Sequence, residues 1–212
     1  MFSTNTNRRN FYQWLLAVVS LFALVTVVPL PLLGKELELN WILSLQTYTV
    51  GVFMDWVALI GYFSYYPLIV LVMFGLFWKQ RKLFSWILLA IVCYLIVSYL
   101  LIKQTGWVIE QPARYLGARD LLELYIPEHY LGFWVGTWGF PSEHLVLTSF
   151  FVLLLVNIYS NNLLLKIVLG VYWLWICWAT VYMGDHYISD CVLNACVAGL
   201  IWWPVRGKIK AV

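Results

Sequence analysis

Apolar runs of about 20 residues recur along this chain, and they leave few folds open. A soluble core does not need stretches of that length, whereas a hydrocarbon layer about 30 Å thick takes about 20 helical residues to cross. Hydrophobic residues make up 63% of the 212, aromatic residues 18% and charged residues 11%, more apolar surface than one aqueous domain hides. The runs lack strict alternation, which favours helices over a barrel. The sequence therefore predicts an all-α polytopic membrane protein, one transmembrane domain over residues 1–212, and composition offers nothing for nucleic acid.

Six spans are expected: about Trp14 to Leu33, Val57 to Trp78, Phe84 to Ile102, Phe140 to Tyr159, Leu163 to Tyr182, and His186 to Trp203. Pro67 is expected to kink the second, and Trp202-Trp203-Pro204 to end the last. Between the first two, Lys35, Glu36 and Glu38 read as solvated, and Leu39 to Trp56 as an amphipathic segment in the interface. Residues 103–138 form the longest polar insertion and must lie outside the hydrocarbon or within protein. Cys93, Cys177, Cys191 and Cys196 lack ligand-like spacing and read as small core residues.

Six spans put both termini on one side. If that side is cytoplasmic, Arg8, Arg9, Lys79, Arg81, Lys82, Lys166, Arg206, Lys208 and Lys210 lie inside, against Lys35, Lys103, Arg114 and Arg119 outside, nine against four, in accord with the positive-inside bias. Ser142, His144, His186 and Asp190 then share the outer face with the long insertion. Such an orientation fits a bacterial inner membrane with the site toward the periplasm or cell exterior.

Two of the three histidines stand in polar patches at the ends of apolar runs, Gly139-Phe140-Pro141-Ser142-Glu143-His144 and Tyr182-Met183-Gly184-Asp185-His186-Tyr187-Ile188-Ser189-Asp190. Ionisable groups at membrane depth are costly and mark function by default. On a helix, His186 and Asp190 at i, i+4 share a face. An imidazole held by a carboxylate through one nitrogen offers the other as nucleophile or base. Ser142 is placed to cap a helix whose N-terminus favours an anion such as phosphate, and Glu143 would favour protonated His144. With Lys103, these groups form a set suited to phosphoryl transfer through a phosphohistidine. His129 reads as a loop residue, and Asp185 as either a helix-start charge or a modifier of its neighbour.

The pattern resembles the type 2 phosphatidic acid phosphatase superfamily. Its motifs are a lysine followed at a distance by Arg-Pro, then Pro-Ser-Gly-His, then Ser-Arg, five residues, His, three residues and Asp. Pro141-Ser142-Glu143-His144 matches the second with Glu for Gly, and His186 with Asp190 ends the third. The resemblance implies that His186 attacks phosphorus, Asp190 orients it, His144 protonates the leaving oxygen, and Ser142 with Lys103 holds the phosphate. It calls for no cofactor and no metal.

The sequence departs from the family at its arginines. Ala179-Thr180 stands where the third motif begins Ser-Arg, and Gln111-Pro112 where the first reads Arg-Pro. Arg114 or Arg119 is expected to fold back and restore part of that charge. The implied activity is hydrolysis of a membrane lipid phosphate or diphosphate, with polyprenyl diphosphate preferred because of Glu143. A lipid phosphotransferase and a catalytically impaired lipid-phosphate binder are the alternatives.

Overall fold

A computed structural model describes residues 12–13, 16–17, 19–20, 33–48, 51–105, 119, 121–125 and 142–209, with the backbone alone at 48, 101–105, 122–123 and 209. Among them every regular element is a helix. In chain order these are α1 (Lys35–Tyr48), α2 (Val52–Phe63), α3 (Tyr65–Lys79), α4 (Arg81–Thr105), α5 (Leu121–Tyr125), α6 (Glu143–Ile158), α7 (Leu163–Tyr182) and α8 (Ile188–Ile209). Among the described residues four stretches are long and apolar enough to cross a membrane: Val52–Lys79, Arg81–Leu100, Leu163–Tyr182 and Ile188–Lys208, with Glu143–Ile158 a shorter apolar helix. The expected first span falls largely outside the described residues. Val70, Leu71, Phe74, Leu163, Leu164 and Val171 are exposed, an apolar surface that a bilayer accommodates and water does not.

The core lies between α3, α4, α6 and α8, where Leu83, Ile87, Phe150, Phe151, Leu154 and Val197 are buried against one another. A second contact joins α2 to α7 through Ala58, Leu59, Ala179 and Tyr182. Gly61 permits that approach, because a Cβ there would meet Ala179 Cβ and the Trp175 ring at 3.0 Å.

Four expectations are corrected. Glu38 is not solvated: α1 turns one face into the protein, with Ile42 and Glu38 fully buried and Gln46 nearly so, while Leu37 and Trp41 stay exposed. Its hydroxyls are absorbed locally, Ser44 donating to the Asn40 carbonyl and Thr47 to that of Leu43, which lets polar residues occupy a helix. The next span begins at Val52 rather than Val57. It breaks at Ser64, three residues before Pro67, where the proline ring would crowd the Phe63 carbonyl and has no N–H to offer it. Finally, α8 runs through Pro204 to Ile209. The four cysteines are free; Cys177 and Cys191 are buried, whereas Cys196 is exposed rather than core.

Glu38 is the residue whose surroundings differ most from a solvated position. One carboxylate oxygen accepts from Ser189 N at 2.9 Å and the other from Leu33 N at 3.1 Å. It thus caps the N-terminus of α8 from a separate helix, satisfying a donor that the helix itself cannot. Glu38→Ala is expected to cost about 1–3 kcal/mol, the penalty for a buried donor left unmet. The check is the thermal midpoint in detergent; an unchanged midpoint would remove the capping role.

Candidate active site

The five-residue link between α7 and α8 carries the first histidine. Gly184 adopts φ 78°, a left-handed conformation that glycine takes without strain. The turn allows Asp185 N and His186 N both to donate to the Thr180 carbonyl, at 3.1 and 3.3 Å. His186 therefore precedes α8 instead of lying within it. Its Nδ1 nevertheless meets Asp190 Oδ2 at 3.1 Å, and the same oxygen accepts from Tyr187 N at 3.1 Å. Nε2 is the ring nitrogen left to face Asp185, at 3.4 Å from Oδ2.

The second histidine comes from the first turn of α6. His144 Nε2 lies 3.7 Å from Asp185 Oδ2, and the two imidazole centroids are 5.0 Å apart. Ser142 is the N-cap of α6, but its hydroxyl makes no cap bond; it meets His144 Nδ1 at 3.2 Å instead. Ser142 N donates to Asn194 Oδ1 at 2.8 Å, while Asn194 Nδ2 donates to the Asp190 carbonyl at 2.7 Å. One buried amide thus joins the two sequence patches. Asn194 follows Asp190 by four residues and is polar in an apolar run, a signal that the sequence itself carries.

Tyr62 is a further residue that sequence reasoning missed. Its hydroxyl donates to Asp185 Oδ2 at 3.0 Å, and its ring lies 4.7 Å from that of His144. Asp185 consequently sits between both histidines and a phenol. Burial pushes the His186 imidazolium pKa down, but the carboxylates of Asp185 and Asp190 outweigh it and hold the value up at about 9.

These groups open onto a cavity of about 580 Å³. Ser142, His144, Asp185 and His186 form its polar side, and Ile69, Val70 and Leu147 its apolar side, with Glu143 also on the wall. The ligand atoms of His144, Asp185 and His186 lie within 4.8 Å of one another, a spacing that also suits a divalent ion. An ion bound there would occupy the lone pair of His186 Nε2.

The cations are placed differently from the histidines. Arg119 Nη2 donates to Asp55 Oδ2 at 2.7 Å, and Arg119 does not line the cavity. Lys103 belongs to the last turn of α4, with its side chain outside the described residues, as are Arg114 and His129 altogether. Thr180, at the position where the resemblance places an arginine, is fully buried and donates to the Cys177 carbonyl at 2.9 Å.

One histidine from the first turn of α6 and one from the link before α8 face each other on the wall of a cavity in a helical membrane protein, and the comparisons name the class. The family model of the PAP2 superfamily matches residues 30–204, and the chain belongs to that superfamily. Its fold is similar to the crystal structure of the first transmembrane PAP2 type phosphatidylglycerolphosphate phosphatase from Bacillus subtilis, with a TM-score of 0.57 at 15% identity over 95% of this chain and 98% of that one. A sequence comparison with curated proteins gave no match.

Proposed function

We propose that this protein cleaves the phosphate ester of a membrane lipid by way of a phosphohistidine on His186. The observation that carries the reading is the paired-imidazole geometry: centroids 5.0 Å apart, with His186 Nδ1 held by Asp190. In the first step His186 Nε2 attacks phosphorus, and His144 protonates the departing lipid oxygen. Water then displaces the phosphoryl group, passing its proton to His144. Ser142 and the free N–H groups of the first turn of α6 face the anion, and Lys103 and Arg114 remain the candidate cations for the phosphate. Asp190 fixes the tautomer and orientation of His186.

The apolar wall formed by Ile69, Val70 and Leu147 supports a lipid rather than a soluble phosphate ester. Polyprenyl diphosphate remains one candidate, although the Glu143 carboxylate on the wall works against so highly charged a headgroup. Transfer to an alcohol would use the same intermediate with a different acceptor. The topology belongs to the same proposal: six spans, both termini cytoplasmic and the site at the outer face of a bacterial inner membrane. The distribution of nine cations against four supports that orientation, and labelling of both termini from outside the cell would refute it.

The test is release of the lipid alcohol from a panel of phospholipids and polyprenyl diphosphate, beside His186→Ala. Turnover lost in the variant supports the reading, and equal turnover in both would end it. A pH profile adds an independent check. Followed by NMR, the His186 imidazole is expected to titrate at about 9. Asp185→Asn should move that inflection down, since a carboxylate that favours the imidazolium is gone. Stability follows the same pKa: a histidine whose folded pKa exceeds its unfolded value of about 6.5 stabilises fully below that pH, and the contribution is lost as pH rises toward 9. A His186 imidazole that titrates at or below the ordinary value of about 6.5 would contradict the carboxylate surroundings assigned to it.

A further inference from the structure

We propose that Asp185 closes the site to free phosphate: its carboxylate occupies the place of the phosphoryl group between the two histidines and must swing aside before either can act. The inference rests on the phosphoryl-transfer reading and adds a residue that decides which phosphates gain entry. Asp185 stands directly before His186 in the chain and is 7% exposed. Its Oδ2 is 3.4 Å from His186 Nε2 and 3.7 Å from His144 Nε2, and the same oxygen accepts from the Tyr62 hydroxyl at 3.0 Å. Groups from α2, from α6 and from the link before α8 thus converge on one carboxylate oxygen.

Phosphoryl transfer needs the volume that this oxygen fills. In a productive complex phosphorus lies about 3–3.5 Å from the attacking nitrogen, and the leaving oxygen lies about 2.6–3.2 Å from its proton donor. The imidazole centroids are 5.0 Å apart, so the space within reach of both Nε2 atoms is the space around Asp185 Oδ2. A carboxylate and a phosphate held there together would also repel each other as like charges. His144 Nε2 is buried without a hydrogen bond among the described residues. That state is costly, and a phosphate oxygen drawn closer than Oδ2 would relieve it.

The carboxylate can leave without disturbing the turn that carries it. Asp185 N and His186 N are both anchored to the Thr180 carbonyl, so rotation of the Asp185 side chain moves Oδ2 while the backbone stays. The cavity of about 580 Å³ that Asp185 lines gives it room. Displacement costs every phosphate ligand the same, namely the Tyr62 hydrogen bond and the attraction of His186. A lipid offsets that cost by laying its chain along Ile69, Val70 and Leu147. Inorganic phosphate, the second product, has no chain to lay there. Binding energy from the remote part of the substrate is then used at the reacting centre, and the released phosphate is kept off the histidines.

The experiment is calorimetric binding of inorganic phosphate in detergent to the native protein, Asp185→Ala, Tyr62→Phe and the double variant. Where a closed arrangement dominates, the apparent affinity is the intrinsic one scaled by the open fraction, so Asp185→Ala is expected to bind phosphate at least about 10-fold tighter. Tyr62→Phe changes no charge but releases one hydrogen bond on the carboxylate, and should tighten phosphate about 2- to 10-fold. Because Tyr62 acts through Asp185, the double variant should bind no tighter than Asp185→Ala alone. Phosphate bound equally or more weakly by Asp185→Ala, or by neither that variant nor the native protein, would overturn the proposal. An unchanged affinity in Tyr62→Phe, or an additive gain in the double variant, would overturn it as well. If Asp185→Ala does not fold, Asp185→Asn takes its place, and Tyr62→Phe decides alone if both fail. Failure of the phosphoryl-transfer reading shows separately, as lipid turnover that survives His186→Ala, and leaves the phosphate-binding result to judge the Asp185 contact.

Discussion

Lipid turnover should fall by at least about 10⁴-fold in His186→Ala, because the substitution removes the atom that bonds to phosphorus and no other group can take its place. The supporting residue should matter nearly as much. Asp190 holds Nδ1 of His186 at 3.1 Å and the Tyr187 amide with the same oxygen, so Asp190→Asn leaves the shape but offers the ring the wrong hydrogen-bond pattern. A loss of about 10²–10⁴-fold is expected there, mainly in kcat, by analogy with other imidazoles oriented by a carboxylate. His144→Ala should resemble Asp190→Asn, and most of its loss should be recovered on a lipid analogue whose leaving group needs no proton. Steady-state assays on the four proteins at matched folded concentration are the measurement. Retention of more than a tenth of native activity by His186→Ala would remove the histidine from its role.

The second large effect lies away from the cavity. Asp55 is almost completely buried on α2 and accepts three hydrogen bonds, from Arg119 at 2.7 Å and from Tyr125 and Tyr182 at 2.8 Å each. Gln46 secures the same junction from α1, accepting from Arg119 N and donating to the Arg119 and Tyr182 carbonyls. Together they pin part of the long loop to the end of α7, two residues before the turn that presents Asp185. Asp55→Ala removes the shared acceptor and strands the partly exposed guanidinium, so about 3 kcal/mol of stability should be lost. That corresponds to a fall of about 6–12 °C in Tm for a chain of this size. Thermal unfolding in detergent tests it, and Asp55→Asn, which keeps an acceptor, should fall less. Equal midpoints for native and Asp55→Ala proteins would show that the junction contributes nothing.

Why some of this was legible in the sequence and some not follows from the range of the interactions. Apolar length fixes a helical span locally, and α7 begins and ends where the run from Leu163 to Tyr182 does. Likewise His186 and Asp190 find each other because four residues separate them. Glu38, by contrast, meets Ser189 across 151 residues and Tyr62 meets Asp185 across 123. No local pattern announces a carboxylate that caps a helix of another segment. Polar residues in α1 argued for water by composition, whereas burial with a specific partner decided the matter. Arg119 illustrates the same limit: from sequence it is a cation near a site that needs one, but Asp55 holds it at 2.7 Å, across 64 residues.

The most direct measurement is a rapid-quench experiment with a lipid labelled at phosphorus, followed by mapping of the labelled peptide. The expected result is label on the protein within the first turnover, stable to alkali and labile to acid as a phosphohistidine is, and carried by the peptide containing His186. Labelled product appearing in single turnover without any protein-bound label, at every quench time and in the slowed His144→Ala protein too, would contradict a covalent mechanism at this histidine.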